Sequence, residues 1–316
     1  MGTPDISQSA PEAARRILSW YRRNGRPLPW RQTRRPYHIL VSEVMLQQTQ
    51  VARVEQKYRE FLRQFPTLSA LARAPKRDVV MAWRGLGYNN RAVRLHALAQ
   101  HLHTRSNSRF PGDVGALMQL PGIGRYTAHA MAAFAFGQQV PVVDVNVRRV
   151  LSRIFFGMQS LTAVADESTV WAIAARLLPA GRASDWNQAL MDLGATVCTA
   201  ARPRCAACPV SAVCTSRATM MAGQGTLSAR QQRPARREQS HRGTPVRLYR
   251  GRVIETLRNA HPRRTIAASR LGRALLPAWT GRDRQVFHRV LRTLERDALV
   301  KVRWNRRSVP VEVSLA

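Results

Sequence analysis

Apolar residues recur at helical spacing along most of the chain before residue 214, and strand-like alternation is almost absent there. Residues 11–23 read as a helix; Asn24-Gly25-Arg26-Pro27-Leu28-Pro29-Trp30, which follows, is too rich in proline to continue it. A long helical pattern runs from Pro36 to Phe65 and stops before Pro66. Shorter helices then alternate with breaks at Pro75, Gly85-Leu86-Gly87 and Pro111-Gly112. Two further helical segments, about 113–119 and 125–136, flank the turn at Pro121-Gly122-Ile123-Gly124. The expectation is an all-α domain over residues 1–214.

The periodicity lapses over residues 215–245, where Gly, Ser, Gln and Arg gather, and this stretch is expected to be a basic linker. From Arg247 it returns as helices over about 247–259, 267–276 and 281–298, the last with Val286, Val290, Leu291, Leu294 and Ala298 at core spacing. Two alternating segments follow, Val300 to Trp304 and Ser308 to Val313, around Asn305-Arg306-Arg307. Three helices and a hairpin predict a small winged-helix-like α+β domain over 246–316. Its third helix exposes Arg284, His288, Arg289 and Arg292, as a major-groove reader does. A helical interaction domain has the same pattern.

Composition narrows the class of ligand. The chain has 316 residues, enough for two domains, and its 51 Lys+Arg against 18 Asp+Glu give a formal charge of +33. So large an excess calls for a polyanionic partner. No run of about 18 apolar residues offers a membrane span, and residues 1–14 lack the charged and apolar regions of a signal peptide. A soluble cytoplasmic protein, monomeric and beside a bacterial nucleoid, is expected. Only three of the 51 bases are lysines, Lys57, Lys76 and Lys301.

All four cysteines, Cys198, Cys205, Cys208 and Cys214, fall within 17 residues. Two disulfides in so short a loop are improbable in a reducing compartment, so four thiolates around a metal are the better reading. Spacing alone leaves zinc and an iron–sulfur cluster equally open.

Leu120-Pro121-Gly122-Ile123-Gly124-Arg125-Tyr126-Thr127-Ala128 sits between two helical segments, where glycines permit a tight turn and helix-start amides can meet a phosphate. About 20 residues on, Asp144 stands among Val140, Val142, Val143 and Val147, an environment costly for a carboxylate unless it is paired or caps a helix. Glu43 lies in Ser42-Glu43-Val44-Met45-Leu46-Gln47-Gln48-Thr49-Gln50, early in a helix. With Pro29-Trp30-Arg31, Gly85-Leu86-Gly87-Tyr88 and the string Trp186 to Ala195 before the cysteines, these segments resemble the MutY adenine glycosylases across residues 15–215. Those belong to the endonuclease III branch of helix-hairpin-helix DNA glycosylases.

The resemblance implies a helix-hairpin-helix glycosylase fold, duplex DNA with a mismatched or oxidised base pair as partner, and one four-iron four-sulfur cluster on Cys198, Cys205, Cys208 and Cys214. It implies that Glu43 protonates the adenine and handles water, that Asp144 stabilises the sugar cation, that Tyr126 assists and that Asn146 holds the aspartate region. Gln48 and Tyr88 would enter the duplex, supported by Leu46. Leu120, Gly122, Gly124 and Arg125 would meet the backbone, Arg31 would lie near substrate, and Arg26, Leu28 and Trp30 would line the base pocket.

Where bifunctional relatives carry an imine-forming lysine this chain has Tyr126, so a monofunctional enzyme is expected. The chain departs from the family at Asn89-Asn90, where a second Tyr is usual, at Val145, where Gly is usual, and in lacking a Nudix-like C-terminal domain. Adenine opposite 8-oxoguanine or guanine is the expected target; a thymine or uracil mismatch glycosylase and a non-catalytic DNA binder are the alternatives.

Overall fold

The computed structural model of the chain describes residues 9–157, 167–223, 239–260, 265–276 and 278–316. In chain order the helices are α1 (Ser9–Asn24), α2 (Pro36–Leu46), α3 (Val51–Gln64), α4 (Leu68–Arg73), α5 (Lys76–Ala82), α6 (Asn90–Arg105), α7 (Val114–Met118), α8 (Arg125–Phe134), α9 (Val145–Phe155), α10 (Glu167–Arg176), α11 (Ala183–Thr196) and α12 (Arg217–Met221). The C-terminal part adds the ribbon β1 (Ser240–His241) and β2 (Thr244–Pro245), α13 (Val246–Asn259), β3 (Ile266–Ala267), α14 (Ala268–Leu275), α15 (Gly281–Arg296), β4 (Val300–Trp304) and β5 (Pro310–Leu315). Among the described residues no helix is long and apolar enough to cross a membrane.

These elements form two compact units that interleave along the chain: residues 1–40 with 111–234, and residues 41–110 with 235–316. In the first unit α1, α9, α10 and α11 converge on one core, to which α9 gives Val147, Val150, Leu151 and Ile154 and α11 gives Trp186, Ala189, Leu190 and Leu193. The spacing of these residues is the 3.6-residue period of a helix with one buried face. Of the stretch expected as linker, residues 215–223 carry α12, and Thr215 and Ser216 donate backbone hydrogen bonds to the carbonyls of Ile154 and Arg153. Residues 239–245 carry the ribbon, and 224–238 lie outside the described residues.

In the second unit α13, α14 and α15 pack with a three-stranded antiparallel sheet in the order β3-β5-β4. Val302 pairs with Val313 and Ile266 with the same Val313, which is fully buried. This is the winged-helix-like module read from the sequence, completed by a strand of two residues, too short to show alternation. A capping box starts α15: Thr280 and Asp283 satisfy each other's backbone amides. The module is not isolated within its unit. Val80 of α5, fully buried, belongs to the same apolar cluster as Tyr249, Val253 and Leu257 of α13.

The helical pattern from Pro36 to Phe65 resolves into two helices, a correction to the single run expected. α2 stops at Leu46 because Gln48 adopts φ 56°, which breaks the helical hydrogen-bond ladder.

Candidate active site and cysteine cavity

Asp144 is the N-cap of α9. Its Oδ1 accepts from the Val147 amide at 2.7 Å and its Oδ2 accepts from Asn146 Nδ2 at 2.9 Å. Asp144 thus caps α9 while the Asn146 side chain donates to its second carboxylate oxygen. The chain ahead of Asp144 is held from two sides. Buried Asn187 of α11 accepts from the Val142 amide and donates to the Val140 carbonyl, each at 2.9 Å, and His129 Nδ1 lies 2.9 Å from the Pro141 carbonyl oxygen. Burial, then the nearby Arg125 charge against the pull of that carbonyl, leaves the His129 pKa below its ordinary value. Tyr126 packs beside this loop, against Ala130, Ala133 and Val142.

A second chain of hydrogen bonds leaves Asn146 in the other direction. Its Oδ1 accepts from Arg149 Nη2 at 2.8 Å, and Arg149 also donates to the carbonyls of Gly194, at 2.7 Å, and Cys198, at 2.9 Å. The aspartate is thus linked through two side chains to the first cysteine. α9 and α11 come close enough for this because residue 194 is glycine: a Cβ there would lie 2.8 Å from Asn146 Cβ.

Arg26 and Arg31, expected at the base pocket and the substrate, converge on Asp192. The carboxylate has no exposed side-chain surface; it accepts from Arg26 Nε and the Arg26 amide at 2.7 and 3.0 Å, and from both terminal nitrogens of Arg31 at 2.6 and 2.9 Å. Burial alone would raise the Asp192 pKa, but the hydrogen bonds and charges of Arg31 and Arg26 outweigh it and hold the carboxyl below the ordinary range. Arg31, 11% exposed at its side chain, is held more by this ion pair than by solvent. Leu28 and Trp30 are buried beside it in sequence.

The string Trp186 to Ala195 does more than precede the cysteines. Its members are an anchoring set: Asn187 pins the approach to Asp144, Gln188 accepts from Tyr21 Oη at 2.7 Å, Asp192 holds the two arginines, and Gly194 admits Asn146. A buried acid two positions before a helical glycine was the available signal.

The hairpin joins α7 to α8. Gly122 takes φ 81°, a conformation reserved for glycine, and Ile123 tucks into the core while Pro121, Gly122 and Gly124 stay exposed and Leu120 is half-buried. Gly124 has an ordinary φ of −89°, and a Cβ there would meet nothing within 4 Å. The chain itself makes no demand for glycine at this position. The Arg125 guanidinium sits 4.3 Å from the Trp171 ring centroid, folded onto the protein.

In the second unit Glu43 is 6% exposed, against the usual fate of a helix glutamate. Gln48 and Tyr88 stand on two exposed loops, both with left-handed backbone, φ 56° and 44°, and Tyr88 is 53% exposed. Leu46 is half-buried at the end of α2. One residue that the sequence did not single out holds both loops. Arg91, buried at the start of α6, donates to the carbonyls of Val44, Met45 and Gln47 and to Thr49 Oγ1 on one side, and to those of Leu86 and Gly87 on the other. Its guanidinium also lies 5.7 Å from the Tyr88 ring. The carbonyls left open where α2 ends are satisfied by this side chain.

Cys198, Cys205, Cys208 and Cys214 are free thiols lining one small cavity with Ile154, Leu193, Val197 and Met220. Burial pushes the Cys208 thiol up to about 12 and raises Cys205 and Cys214 as well, with mutual repulsion of the cysteines adding to it. Four thiolates here require a positive group among them. Arg153, 1% exposed, lies over the loop and donates to Cys198 Sγ at 3.5 Å and to the Thr199 and Ala200 carbonyls. Among the described residues no three His, Cys, Asp or Glu side chains close on a point as ligands of a single ion do.

A family model described as HhH-GPD superfamily base excision DNA repair protein matches residues 41–172. A Mycobacterium tuberculosis protein named adenine DNA glycosylase is 41% identical over 285 residues, covering 90% of this chain and 88% of its own. Another of that name from Mycolicibacterium smegmatis is 44% identical over 248 residues, covering 77% and 80%, and one from Homo sapiens is 44% identical over 210 residues, covering 64% and 38%. Among solved structures, a thermostable thymine-DNA glycosylase is similar at TM-score 0.63 and 30% identity, covering 68% of this chain and 100% of its own. Endonuclease III trapped on DNA matches at TM-score 0.60 and 24% identity, over 68% and 98%, a likeness of fold.

Proposed function

This chain belongs to the HhH-GPD superfamily of base excision DNA repair proteins, and on that premise we propose that it releases adenine from duplex DNA by hydrolysing the N-glycosidic bond. The observation that carries the choice of base is its likeness, over 90% of its length, to a protein named for that activity. The target is adenine opposite 8-oxoguanine or guanine, a reading supported by the Glu43 segment and the Arg26 to Arg31 segment.

Cleavage builds positive charge on the sugar and negative charge on the departing base, so one carboxylate must face the sugar and one acid must protonate the base. Asp144, fixed by the Val147 amide and Asn146, is the sugar-side carboxylate. Buried Glu43 is the acid: it gives its proton to the adenine ring and afterwards takes one from water. The bond is inaccessible in stacked DNA, so the nucleotide leaves the duplex while Gln48 and Tyr88 enter the gap. Their exposed, left-handed loops support that role. The hairpin amides around Gly122 and Gly124 take a backbone phosphate.

Tyr126 stands where an imine-forming lysine would be needed; Lys57 is paired with Glu60 at 2.7 Å and Lys76 opens α5. The product is an abasic site in an uncut strand. The four cysteines line one cavity and can supply the four thiolates that a four-iron four-sulfur cluster takes. When bound, the cluster supplies four metal–thiolate bonds that close the loop from Cys198 to Cys214.

The likeness to a thymine-DNA glycosylase favours a second reading, excision of thymine or uracil from mispairs with guanine. Incubation with duplexes holding single A:8-oxoguanine, A:G, T:G and U:G pairs, followed by alkali, separates the two. Cleavage at the adenine duplexes is expected; cleavage at T:G or U:G alone overturns the adenine reading, and strand breaks without alkali overturn the monofunctional one.

A further inference from the structure

The outer face of α15 has no part in the chemistry above. Its inner face buries Phe287, Val290, Leu291 and Leu294 in the module's core, which leaves the outer face free of any packing duty. Gln285, His288, Arg289, Arg292, Thr293 and Arg296 recur at helical spacing along it and line one open concavity. Trp304 of β4 closes one side: the Arg292 guanidinium lies 5.4 Å from its ring, and the His288 ring meets it edge-on at 6.4 Å. Beyond Trp304 the exposed turn Asn305-Arg306-Arg307 is fixed by Asn305 Oδ1, which accepts from the amides of Arg307 and Val309.

What distinguishes this face is that none of its arginines is paired with an acid among the described residues. Four of the module's five acids take other basic side chains, and the fifth, Glu295, lies beside the face. Asp283 is buried and takes Arg242 and His241; Asp297 takes Arg250; Glu312 takes Arg303; Glu255 takes Arg84 and Arg258. Glu295 accepts from the Val302 amide and Trp304 Nε1. Arg289, Arg292 and Arg296 are exposed and form no ion pair among the described residues. A solvated helix face ordinarily mixes both signs, and a stripe of one sign repels itself unless a polyanion covers it. The face carries no exposed apolar side chain that a membrane or an apolar protein groove would take.

We propose that the outer face of α15, with Trp304 and the Asn305–Arg307 turn, is a second duplex-binding surface that engages backbone phosphates across a major groove. A helix with its side chains is 10–12 Å wide, and the groove is about 12 Å. This surface holds the duplex without regard to sequence, since arginines on phosphates position and do not read. It rests on the reading above only in taking DNA as the ligand.

The test uses the full chain carrying Arg289→Gln, Arg292→Gln and Arg296→Gln together, and a partner variant with Lys at the same three positions. All three side chains are exposed, so both variants are expected to melt as the parent does. Affinity for an undamaged duplex is measured by anisotropy across salt concentration, and adenine release by single turnover at saturating duplex. For each phosphate contact removed, the slope of log affinity against log salt falls by about 0.9. A loss of about 2–3 in slope is therefore expected for the Gln variant, with its saturated release rate unchanged and the slope retained by the Lys variant. An unchanged slope in the Gln variant, or an equal loss in both variants, overturns the proposal. Failure of the adenine reading is a separate outcome: the parent then releases no adenine, while the slope difference on undamaged duplex persists.

Discussion

Asp192 shows how little a residue's place in a string says about its energetics. Its carboxylate is shut from solvent between Arg26 and Arg31, and removing a partner from a buried pair costs about 3–5 kcal/mol because the other charges stay behind. Asp192→Asn is therefore expected to lower the melting temperature sharply at neutral pH. Because the folded carboxyl is held below its ordinary range, its contribution is complete above that range and is lost as pH falls through the lowered value. The gap in melting temperature between parent and variant should narrow on acidification; a constant gap would refute the ion-pair account. Gly124 presents the opposite case. With an ordinary φ and open space at its Cβ, Gly124→Ala should leave melting unchanged and weaken duplex binding about tenfold, the value of one charge-assisted hydrogen bond lost to a methyl group. Anisotropy on undamaged duplex reads it, and full binding by the variant would remove the hairpin from the DNA interface.

At the scale of elements, the periodicity of apolar residues was legible wherever one helix face is buried in a single core. α1, α8 and the three helices of the C-terminal module lie within a few residues of their expected bounds, and Asp144 caps α9 as its setting suggested. The break between α2 and α3 was not legible, because Gln47-Gln48-Thr49-Gln50 holds no Gly or Pro; Gln48 turns left-handed there, and Arg91, 44 residues beyond Gln47, takes up the Gln47 carbonyl. Likewise the segment flanking the cysteines was recognised as a string while the partners of Asn187, Asp192 and Gly194 lay far off in sequence. Arg91 carries a prediction at this scale. Arg91→Met keeps the volume and removes the donors to both loops, so Gln48 and Tyr88 lose their common anchor. Single-turnover release from paired adenine should fall by about 10–100-fold, the equivalent of about 1.5–3 kcal/mol for one charged hydrogen-bond set. A variant that folds and releases adenine at the parental rate would dissociate Arg91 from the loops' function.

At the scale of the molecule, the division that matters runs through space. The C-terminal module belongs to the same unit as residues 41–110, and the two are joined by a buried cation. Arg258 of α13 is 6% exposed and donates to the Val80 carbonyl at 2.5 Å and to Asn89 Oδ1 at 2.9 Å, while Glu255 and Asn259 on the same helix take Arg84. Asn89 directly follows Tyr88. It is also one of the positions where the chain departs from the pattern it otherwise resembles, and the departure supplies the acceptor that the module's arginine needs. The module thereby bears on the loop that carries Tyr88 through a contact independent of its outer face. Arg258→Met should free the Val80 carbonyl and the Asn89 side chain, and amide hydrogen exchange over residues 80–90 should rise well before exchange in α9 or α11, which draw on the other core. Arg289, Arg292 and Arg296 variants, altered only on the outer face, should leave that exchange unchanged. Equal protection of residues 80–90 in parent and Arg258→Met would show that the module and the Tyr88 loop are held independently.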